Sequence, residues 1–312
     1  MTLALLCSGQ GPQHPAMFAV TDASEAAALF DHAAALLGGR DPRTLVRDAD
    51  AVTLHGNRVG QILCTLQTTA ALAALPDLTR GRRIVAGYSV GEVGAWAVAG
   101  LIAPGMALDL AAARADAMDS ESRPGDGLLF VRGLSRDVID GLCRDGGGAV
   151  AIVNPGDAVV LGGSGEELAR LEDAAHRAGA IRVVRVGVAV ASHTARLAKA
   201  SAAFADVLAE TPMKARLPAG VRLLSGIDAA PVLDLAAGRD KLARQISTRI
   251  RWADCLSATV EAGATAFLEL GPGRALAEMA AHTNPEIPAR SLDDFKSAHG
   301  VRNWLRRVAP TA

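Results

Sequence analysis

Aromatic residues are scarce in this 312-residue chain, at 3 Trp, 1 Tyr and 6 Phe. Apolar residues nevertheless make up 50% of the sequence, so alanine and branched aliphatic side chains must fill a sizeable core. Positive and negative side chains almost cancel, to a formal net charge of -1. This balance gives no electrostatic reason to expect a nucleic acid or an anionic membrane surface as a partner.

Metal-binding motifs and long apolar runs are also lacking. The four cysteines are widely separated and show neither CxxC nor Cys/His ligand spacing. No Walker or HExxH pattern is present, so we expect no bound metal and no bound cofactor. No apolar run is long enough to span a bilayer, and Leu3 to Cys7 lacks the basic residues that open a signal peptide. These features predict a reduced, cytoplasmic protein.

The remaining pattern indicates an α/β architecture, because short apolar runs alternate with longer segments of helical period. The predicted strands are Leu3 to Cys7, Ile84 to Ala86, Val183 to Val190 and Ala266 to Leu270. The predicted helices are Ser24 to Leu37, Asn57 to Ala74, Val90 to Ala99, Gly105 to Asp119, Thr194 to Leu208, Ala253 to Ala262 and Arg274 to His282. We expect a large α/β-hydrolase-like domain with a mainly parallel sheet, formed by residues 1–122 and 189–312.

Residues 123–188 follow a different order. After a turn-rich stretch they are predicted to form strand, helix, strand, strand, helix and strand. This βαββαβ order is the ferredoxin-like pattern. The sequence therefore predicts a small ferredoxin-like domain inserted into the large one.

The strongest chemical motif is GYSVG at residues 87–91, the only GxSxG in the chain. It follows a short apolar strand and precedes a predicted helix, as a nucleophile elbow does. Such a turn presents the Ser89 hydroxyl, while the start of the helix offers backbone N–H groups to an oxyanion. A Gly/Ser turn that merely links strand and helix is the alternative interpretation.

A serine hydroxyl needs a nearby base, and among the seven histidines His193 is the best candidate for that role. It follows a nearly pure apolar run, Val186 to Ala191, which predicts a strand ending at the sheet edge where α/β proteins bind ligands. A core or capping histidine is the alternative. The Gly-rich segment SGQG at residues 8–11 follows the first strand in the same way and could bring Gln10 to that edge.

Arg114 falls on the apolar face of its predicted helix, with Ala107, Leu110 and Ala111. A guanidinium that faces a core is costly unless an anion accompanies it, and its planar fork matches a carboxylate. Either an internal Asp or Glu is that anion, or a carboxylate arrives with a substrate.

These motifs together resemble the malonyl-CoA:acyl carrier protein transacylase family in order and spacing, from Gly9 to about Ala281. The resemblance implies that Ser89 is acylated by a coenzyme A thioester, that His193 is its base, and that Arg114 holds the malonyl carboxylate. It further implies an oxyanion hole at Gln10 and Val90, and a dyad supported by backbone carbonyls with no acidic third member. Two remaining residues match family positions, Gln245 as a support for the histidine and Asn154 as the small domain's substrate-binding asparagine.

The sequence departs from the family at two motifs. Tyr88 precedes the serine where His is usual, and Cys7-Ser8 replaces Phe-Pro. The GYSVGE segment followed by Trp96 looks more like the transacylase (epsilon) subunit of malonate decarboxylase, which implies a carrier subunit and other decarboxylase subunits as partners. The alternatives are a transacylase of fatty-acid or polyketide synthesis, a serine thioesterase or hydrolase, and a non-catalytic subunit that docks a carrier.

Overall fold

The computed structural model describes residues 2–308, so the predicted domain ends at Met1 and at 309–312 lie outside the described residues. The strands are β1 Thr2–Cys7, β2 Arg82–Gly87, β3 Gly127–Arg132, β4 Ala149–Val153, β5 Ala158–Gly163, β6 Arg182–Val186, β7 Val221–Leu223, β8 Ile250–Arg251, β9 Ala266–Glu269 and β10 Ala289–Ser291. The α-helices are α1 Ala27–Leu36, α2 Pro42–Asp48, α3 Ala51–His55, α4 Asn57–Ala74, α5 Gly91–Val98, α6 Pro104–Glu121, α7 Arg136–Gly146, α8 Gly165–Arg177, α9 Ala198–Glu210, α10 Leu235–Arg244, α11 Trp252–Glu261, α12 Ala275–Thr283 and α13 Ala298–Val308. Short 3-10 helices lie at Ser24–Ala26, Pro76–Thr79, Ala195–Leu197 and Leu292–Asp294.

The larger sheet is parallel and has the strand order β10-β9-β1-β2-β7. Its central strand β1 pairs Leu5 with Val85 on one side and with Leu268 on the other. Most of β1 and all of β9 are buried, as expected for a parallel sheet with helices on both faces. The prediction of an α/β fold with a mainly parallel sheet is therefore confirmed.

A second sheet has the order β6-β3-β5-β4-β8. Strands β3 to β6 come from residues 127–186 and pair antiparallel. Helices α7 and α8 contribute Ile139, Leu168 and Leu171 to a separate core beneath them. The fifth strand, β8, comes from later in the chain and pairs with β4 in parallel. This sheet therefore extends beyond the predicted insertion.

The predicted strand from Val183 to Val190 is wrong at its C-terminal end. Strand β6 ends at Val186, and residues 187–191 form an irregular connection to the larger part of the chain. Val188 and Val190 are buried in the main core. The apolar run thus indicated burial, which an irregular segment can have as well as a strand.

The other predicted elements lie within a few residues of observed ones, and helix α4 matches its predicted bounds. Helices α2, α3, α10 and α13 and strands β7, β8 and β10 were not predicted from the sequence. These missed strands have two or three residues each, too few to show a period of two. Among residues 2–308, no helix has the length and apolarity needed to cross a membrane.

Candidate active site

Ser89 lies in a sharp turn between β2 and α5, with a positive φ of 56°. Positive φ is uncommon for a residue with a side chain, and such strain concentrates at functional sites. The flanking glycines make the turn possible. A Cβ at Gly87 would lie 2.2 Å from the backbone N of Glu92, and one at Gly91 would lie 2.1 Å from the carbonyl oxygen of Cys7. The chain therefore needs glycine on both sides of the serine.

His193 contacts the serine directly. The Ser89 Oγ lies 2.8 Å from His193 Nε2, and His193 Nδ1 lies 2.6 Å from the backbone carbonyl oxygen of Gln245. Since that carbonyl only accepts, Nδ1 carries the proton and Nε2 is free to accept one from the hydroxyl. No described carboxylate contacts His193, and the pair is a dyad oriented by a backbone carbonyl.

The backbone of His193 is also unusual, with φ at 62°, and its N–H donates to the Ile246 carbonyl at 2.7 Å. The histidine follows the irregular connection at 187–191 rather than the end of a strand, which corrects the local structure predicted for it. Burial, together with the nearby positive charge of Arg114, lowers the pKa of His193 to about 3. The imidazole is therefore neutral near pH 7 and can act as a base.

The SGQG segment lies against this turn. A Cβ at Gly9 would be 3.3 Å from Ser89 Cβ and 2.7 Å from the Tyr88 carbonyl oxygen, so the two loops approach closely. The Gln10 side chain donates to the Asn57 carbonyl oxygen at 3.1 Å. Within residues 2–308, the backbone N–H groups of Gln10 and Val90 donate no hydrogen bond. Both remain available to an oxyanion.

Arg114 is 1% exposed, on the buried face of α6 that the sequence predicted. Its Nη1 donates to Gln61 Oε1 at 2.7 Å and its Nη2 to Gln245 Oε1 at 2.9 Å. No described Asp or Glu forms an ion pair with it, which answers the question that the sequence left open. Burial lowers the pKa of Arg114 to about 10. The guanidinium is thus a buried cation whose direct partners are neutral amides.

Sequence reasoning missed Gln61 and Glu92 in this network. Glu92 is 1% exposed and accepts hydrogen bonds from the Gln245 side chain at 2.7 Å and from the Gly226 N–H at 3.1 Å. Burial raises its pKa to about 7. The sequence signal for Glu92 was an acidic residue within a helix whose other residues are apolar or glycine. Every residue of this helix, α5, is buried.

A cavity of about 240 Å³ opens beside the dyad, between the two sheets. Ser89, His193 and Gln10 line one side, and Leu128, Phe130, Ile152 and Val160 of the second sheet line the other. The wall is mostly apolar. Arg114 is not part of it.

Other polar residues line the same cavity without belonging to the dyad, among them Asn154, Tyr88 and Glu269. Asn154 is 5% exposed, and its Oδ1 has no hydrogen-bond partner among the described residues. It lies next to the phenol of Tyr88, whose pKa burial raises to about 12. Glu269, which the sequence analysis also missed, accepts from Ser8 Oγ at 2.6 Å, and burial raises its pKa to about 8. In residues 2–308 no cluster of His, Cys, Asp and Glu suited to a metal ion is found.

The fold and these distances define a class of protein. A serine in a strained strand-to-helix turn, a neutral histidine bonded to it and two free N–H groups beside an apolar cavity are the parts of an enzyme that transfers acyl groups through a serine.

Comparison with known proteins agrees with this class. The acyl transferase domain family matches residues 5–304, and the chain belongs to that family. It is 33% identical over 305 residues to the malonyl CoA-acyl carrier protein transacylase of Mycobacterium tuberculosis, covering 93% of this chain and 96% of that protein. The counterpart from Bacillus subtilis is 26% identical over 308 residues, or 94% and 93% of the two chains. The chain is therefore an acyltransferase, and the resemblance seen in the sequence is confirmed at the level of the family.

Solved structures agree as well. The crystal structure of an acyl-carrier-protein S-malonyltransferase from Burkholderia pseudomallei has a TM-score of 0.87 with this chain at 28% identity, covering 97% of this chain and all of the other.

Proposed function

We propose that the chain moves a malonyl group from malonyl-CoA to the thiol of an acyl carrier protein, through an ester on Ser89. The observation that carries the proposal is the pairing of a Ser–His dyad with a buried Arg114 that has no carboxylate partner. A relative named as a malonyl transacylase, 33% identical over nearly the whole chain, supports the choice of malonyl.

In the first half-reaction, His193 Nε2 takes the hydroxyl proton while Ser89 Oγ attacks the thioester carbonyl. The Gln10 and Val90 N–H groups bind the negative oxygen of the tetrahedral intermediate. When the carbon–sulfur bond breaks, the imidazolium returns its proton to the leaving thiolate of coenzyme A. The Nδ1 bond to the Gln245 carbonyl keeps the ring oriented throughout.

In the second half-reaction, His193 takes the proton of the carrier thiol, and the sulfur attacks the acyl-serine. The same N–H groups bind the second oxyanion, and Ser89 leaves with the proton from His193. The result is a ping-pong exchange of one thioester for another, without a metal or redox step.

Arg114 is proposed to recognise the free carboxylate of malonyl. Its present partners are two neutral amide oxygens, and a carboxylate that replaced one of them would accept a stronger, charge-assisted hydrogen bond. An acetyl group has no carboxylate and gains nothing from the guanidinium. Arg114 would therefore favour malonyl over acetyl.

Intact mass after rapid mixing with malonyl-CoA or acetyl-CoA tests these roles. We expect a malonyl adduct on the wild type that is absent in Ser89→Ala. Arg114→Ala should reduce malonyl loading at least about tenfold and leave acetyl loading within about threefold, because only malonyl loses a charged contact. Arg80→Ala is the matched control, since Arg80 is exposed and paired with Asp77.

Transfer to a phosphopantetheinylated carrier protein then separates the competing functions. A malonyl mass gained by the carrier supports the transferase. Loss of the adduct to water, with nothing on the carrier, would indicate a thioesterase. No adduct on a folded wild type would contradict the acyl-serine and favour a carrier-docking role.

We further propose that the acceptor is the carrier subunit of malonate decarboxylase, with the other decarboxylase subunits as partners. Support comes from the GYSVGE segment and Trp96, with Tyr88 where fatty-acid enzymes usually have His. The Tyr88 ring packs edge-on against Trp252, with ring centroids 5.3 Å apart. Faster transfer to a carrier of fatty-acid or polyketide synthesis than to a decarboxylase carrier would refute this assignment.

Residues 123–188 are proposed to be an inserted ferredoxin-like domain, and residues 1–122 with 189–312 the large α/β-hydrolase-like domain. The βαββαβ order and the antiparallel strand order β6-β3-β5-β4 support this division. Asn154, from the connection between β4 and β5, is proposed to bind the acyl donor with its unpaired Oδ1.

A further inference from the structure

Glu92 is a buried acid that the proposed mechanism does not use. It lies three residues after Ser89, at the start of α5, and is 1% exposed. A buried carboxyl is costly unless hydrogen bonds compensate it. Its Oε2 accepts two such bonds, one from the Gln245 side chain and one from the Gly226 N–H.

Gln245 joins this carboxyl to both parts of the site. Its side-chain Oε1 accepts from Arg114 at 2.9 Å, and its Nε2 donates to the Ser89 carbonyl oxygen at 2.9 Å as well as to Glu92 at 2.7 Å. Its backbone carbonyl accepts from His193 at 2.6 Å. A single glutamine therefore contacts the arginine, the nucleophile's backbone and the base.

The orientation of the Gln245 amide follows from the chemistry of its neighbours. Arg114 can only donate, so it must face the amide oxygen. The Ser89 carbonyl can only accept, so the amide nitrogen must face it. The Glu92 carboxyl adds a second acceptor on the nitrogen side, which strengthens this orientation against the reversed one.

The chain also leaves room for the carboxyl. A Cβ at Gly226 would lie 2.8 Å from Glu92 Oε2, so glycine allows the backbone to approach and donate. The Gly226 carbonyl in turn accepts from the Arg251 N–H at 2.8 Å. The hydrogen bond from Gly226 therefore holds the Glu92 carboxyl from a loop that is far from α5 in the sequence.

We infer that Glu92 is a positioning residue that sets the Gln245 amide and thereby links the carboxylate-recognising arginine to the Ser–His dyad. The inference rests on the proposed function for what it says of Arg114. What it says of the dyad is independent of the acyl donor.

Two variants of Glu92 distinguish the effect of its hydrogen bonds from the effect of its negative charge. Glu92→Gln keeps the length of the side chain, so its Oε1 can accept from both Gln245 and Gly226 without a negative charge. Glu92→Asp keeps the acid but is one methylene shorter and cannot reach both donors. Val93→Ala is the control, because it opens a small cavity beside Glu92 on the same helix without touching the network.

Two measurements report on the link between Arg114 and the Ser–His dyad. One is the sulfonylation of Ser89 by phenylmethylsulfonyl fluoride, a neutral reagent, followed by intact mass. The other is the ratio of malonyl to acetyl loading from the coenzyme A thioesters. We expect Glu92→Asp to slow sulfonylation about tenfold or more and to lower the ratio, and Glu92→Gln to stay within about threefold in both. Val93→Ala should lower Tm while leaving the ratio unchanged.

Several outcomes would overturn the inference. A Glu92→Gln enzyme as impaired as Glu92→Asp, or more so, would assign the role to charge. A Glu92→Asp enzyme with the wild-type ratio and sulfonylation rate would leave Glu92 with packing alone. If the wild type takes no malonyl but sulfonylation still follows the predicted order, the proposed function fails and the positioning role stands.

Discussion

The two sides of the cavity differ in polarity and in how many hydrogen bonds hold their side chains. On the side of the parallel sheet, Ser89 and His193 line the cavity. Hydrogen bonds of 2.6–2.9 Å join them to Gln245, Glu92 and Arg114, which do not line it. On the side of the antiparallel sheet, the described wall residues are apolar apart from Asn154, whose Oδ1 has no hydrogen-bond partner among them or elsewhere in residues 2–308. The first side fixes reacting atoms in place. The second offers shape and one free acceptor, which suits the binding of a substrate.

This contrast leads to a simple expectation. Changes on the parallel-sheet side should lower the rate of the chemical step, because they disturb positions that the reaction needs. Changes on the antiparallel-sheet side should raise KM, because they remove contacts made equally in the ground state and the transition state. Substitutions on the two sides of the cavity, and a change of pH, test this division.

The largest effect is expected for Gly91→Ala, on the parallel-sheet side. The new Cβ would lie 2.1 Å from the Cys7 carbonyl oxygen and 2.8 Å from the Ser8 carbonyl oxygen, and because both are backbone atoms there is little room to relax. We expect a loss of about 3 kcal/mol in the free energy of unfolding and at least about a 100-fold slower acylation of Ser89, since the turn must open. Chemical denaturation and rapid-mix mass measurements would show both.

Gly141→Ala is the matched control, because nothing lies within 4 Å of a Cβ at that position in α7. It should be neutral or slightly stabilising, as alanine is the better helix former. Equal losses in the two variants would contradict the argument from the close approach.

The sequence was most informative where a function depends on local backbone. The elbow at Ser89 could be predicted because strand, glycines and helix follow one another directly between Arg82 and Val98. The burial of Arg114 followed from the period of one helix. His193 was found from an apolar run that belongs to an irregular segment, so the residue was predicted through an incorrect strand.

The network around Arg114 could not be predicted in the same way. Its contacts join α6 to Gln61, 53 residues earlier, and to Gln245, 131 residues later. A single sequence carries no periodic signal for such pairs. Glu269 and Ser8 are 261 residues apart and meet only because β1 and β9 are neighbours in the sheet.

A second, smaller effect is expected from pH, again on the parallel-sheet side. His193 has a pKa of about 3 in the folded protein, well below its ordinary value of 6.5, so the unfolded chain binds the proton first as pH falls. Its contribution to stability is therefore present above pH 6.5 and is lost between pH 6.5 and 3, by up to about 1.4 kcal/mol per pH unit. Arg114, which lowers this pKa, stays charged throughout the range.

The comparison of wild type with His193→Gln isolates this contribution. Glu92 and Glu269 have raised pKa values of about 7 and 8, so they oppose it by favouring the folded state as pH falls. They are present in both proteins and cancel in the difference. We expect the stability difference between the two proteins to shrink by about 2 kcal/mol from pH 6.5 to pH 5. A difference that does not change with pH would mean that His193 titrates normally when folded.

The smallest effect is expected on the antiparallel-sheet side, for Asn154→Ala. The variant removes Asn154 Oδ1, a side-chain acceptor for which residues 2–308 offer no partner, and leaves the dyad intact. Loss of one neutral hydrogen bond to the acyl donor should raise KM for malonyl-CoA about fivefold, with kcat within about twofold. Steady-state kinetics with Phe130→Leu as an apolar comparison would measure it. A fall in kcat as large as that of Gly91→Ala would mean that the antiparallel sheet also positions reacting atoms, and the division between the two sides would no longer hold.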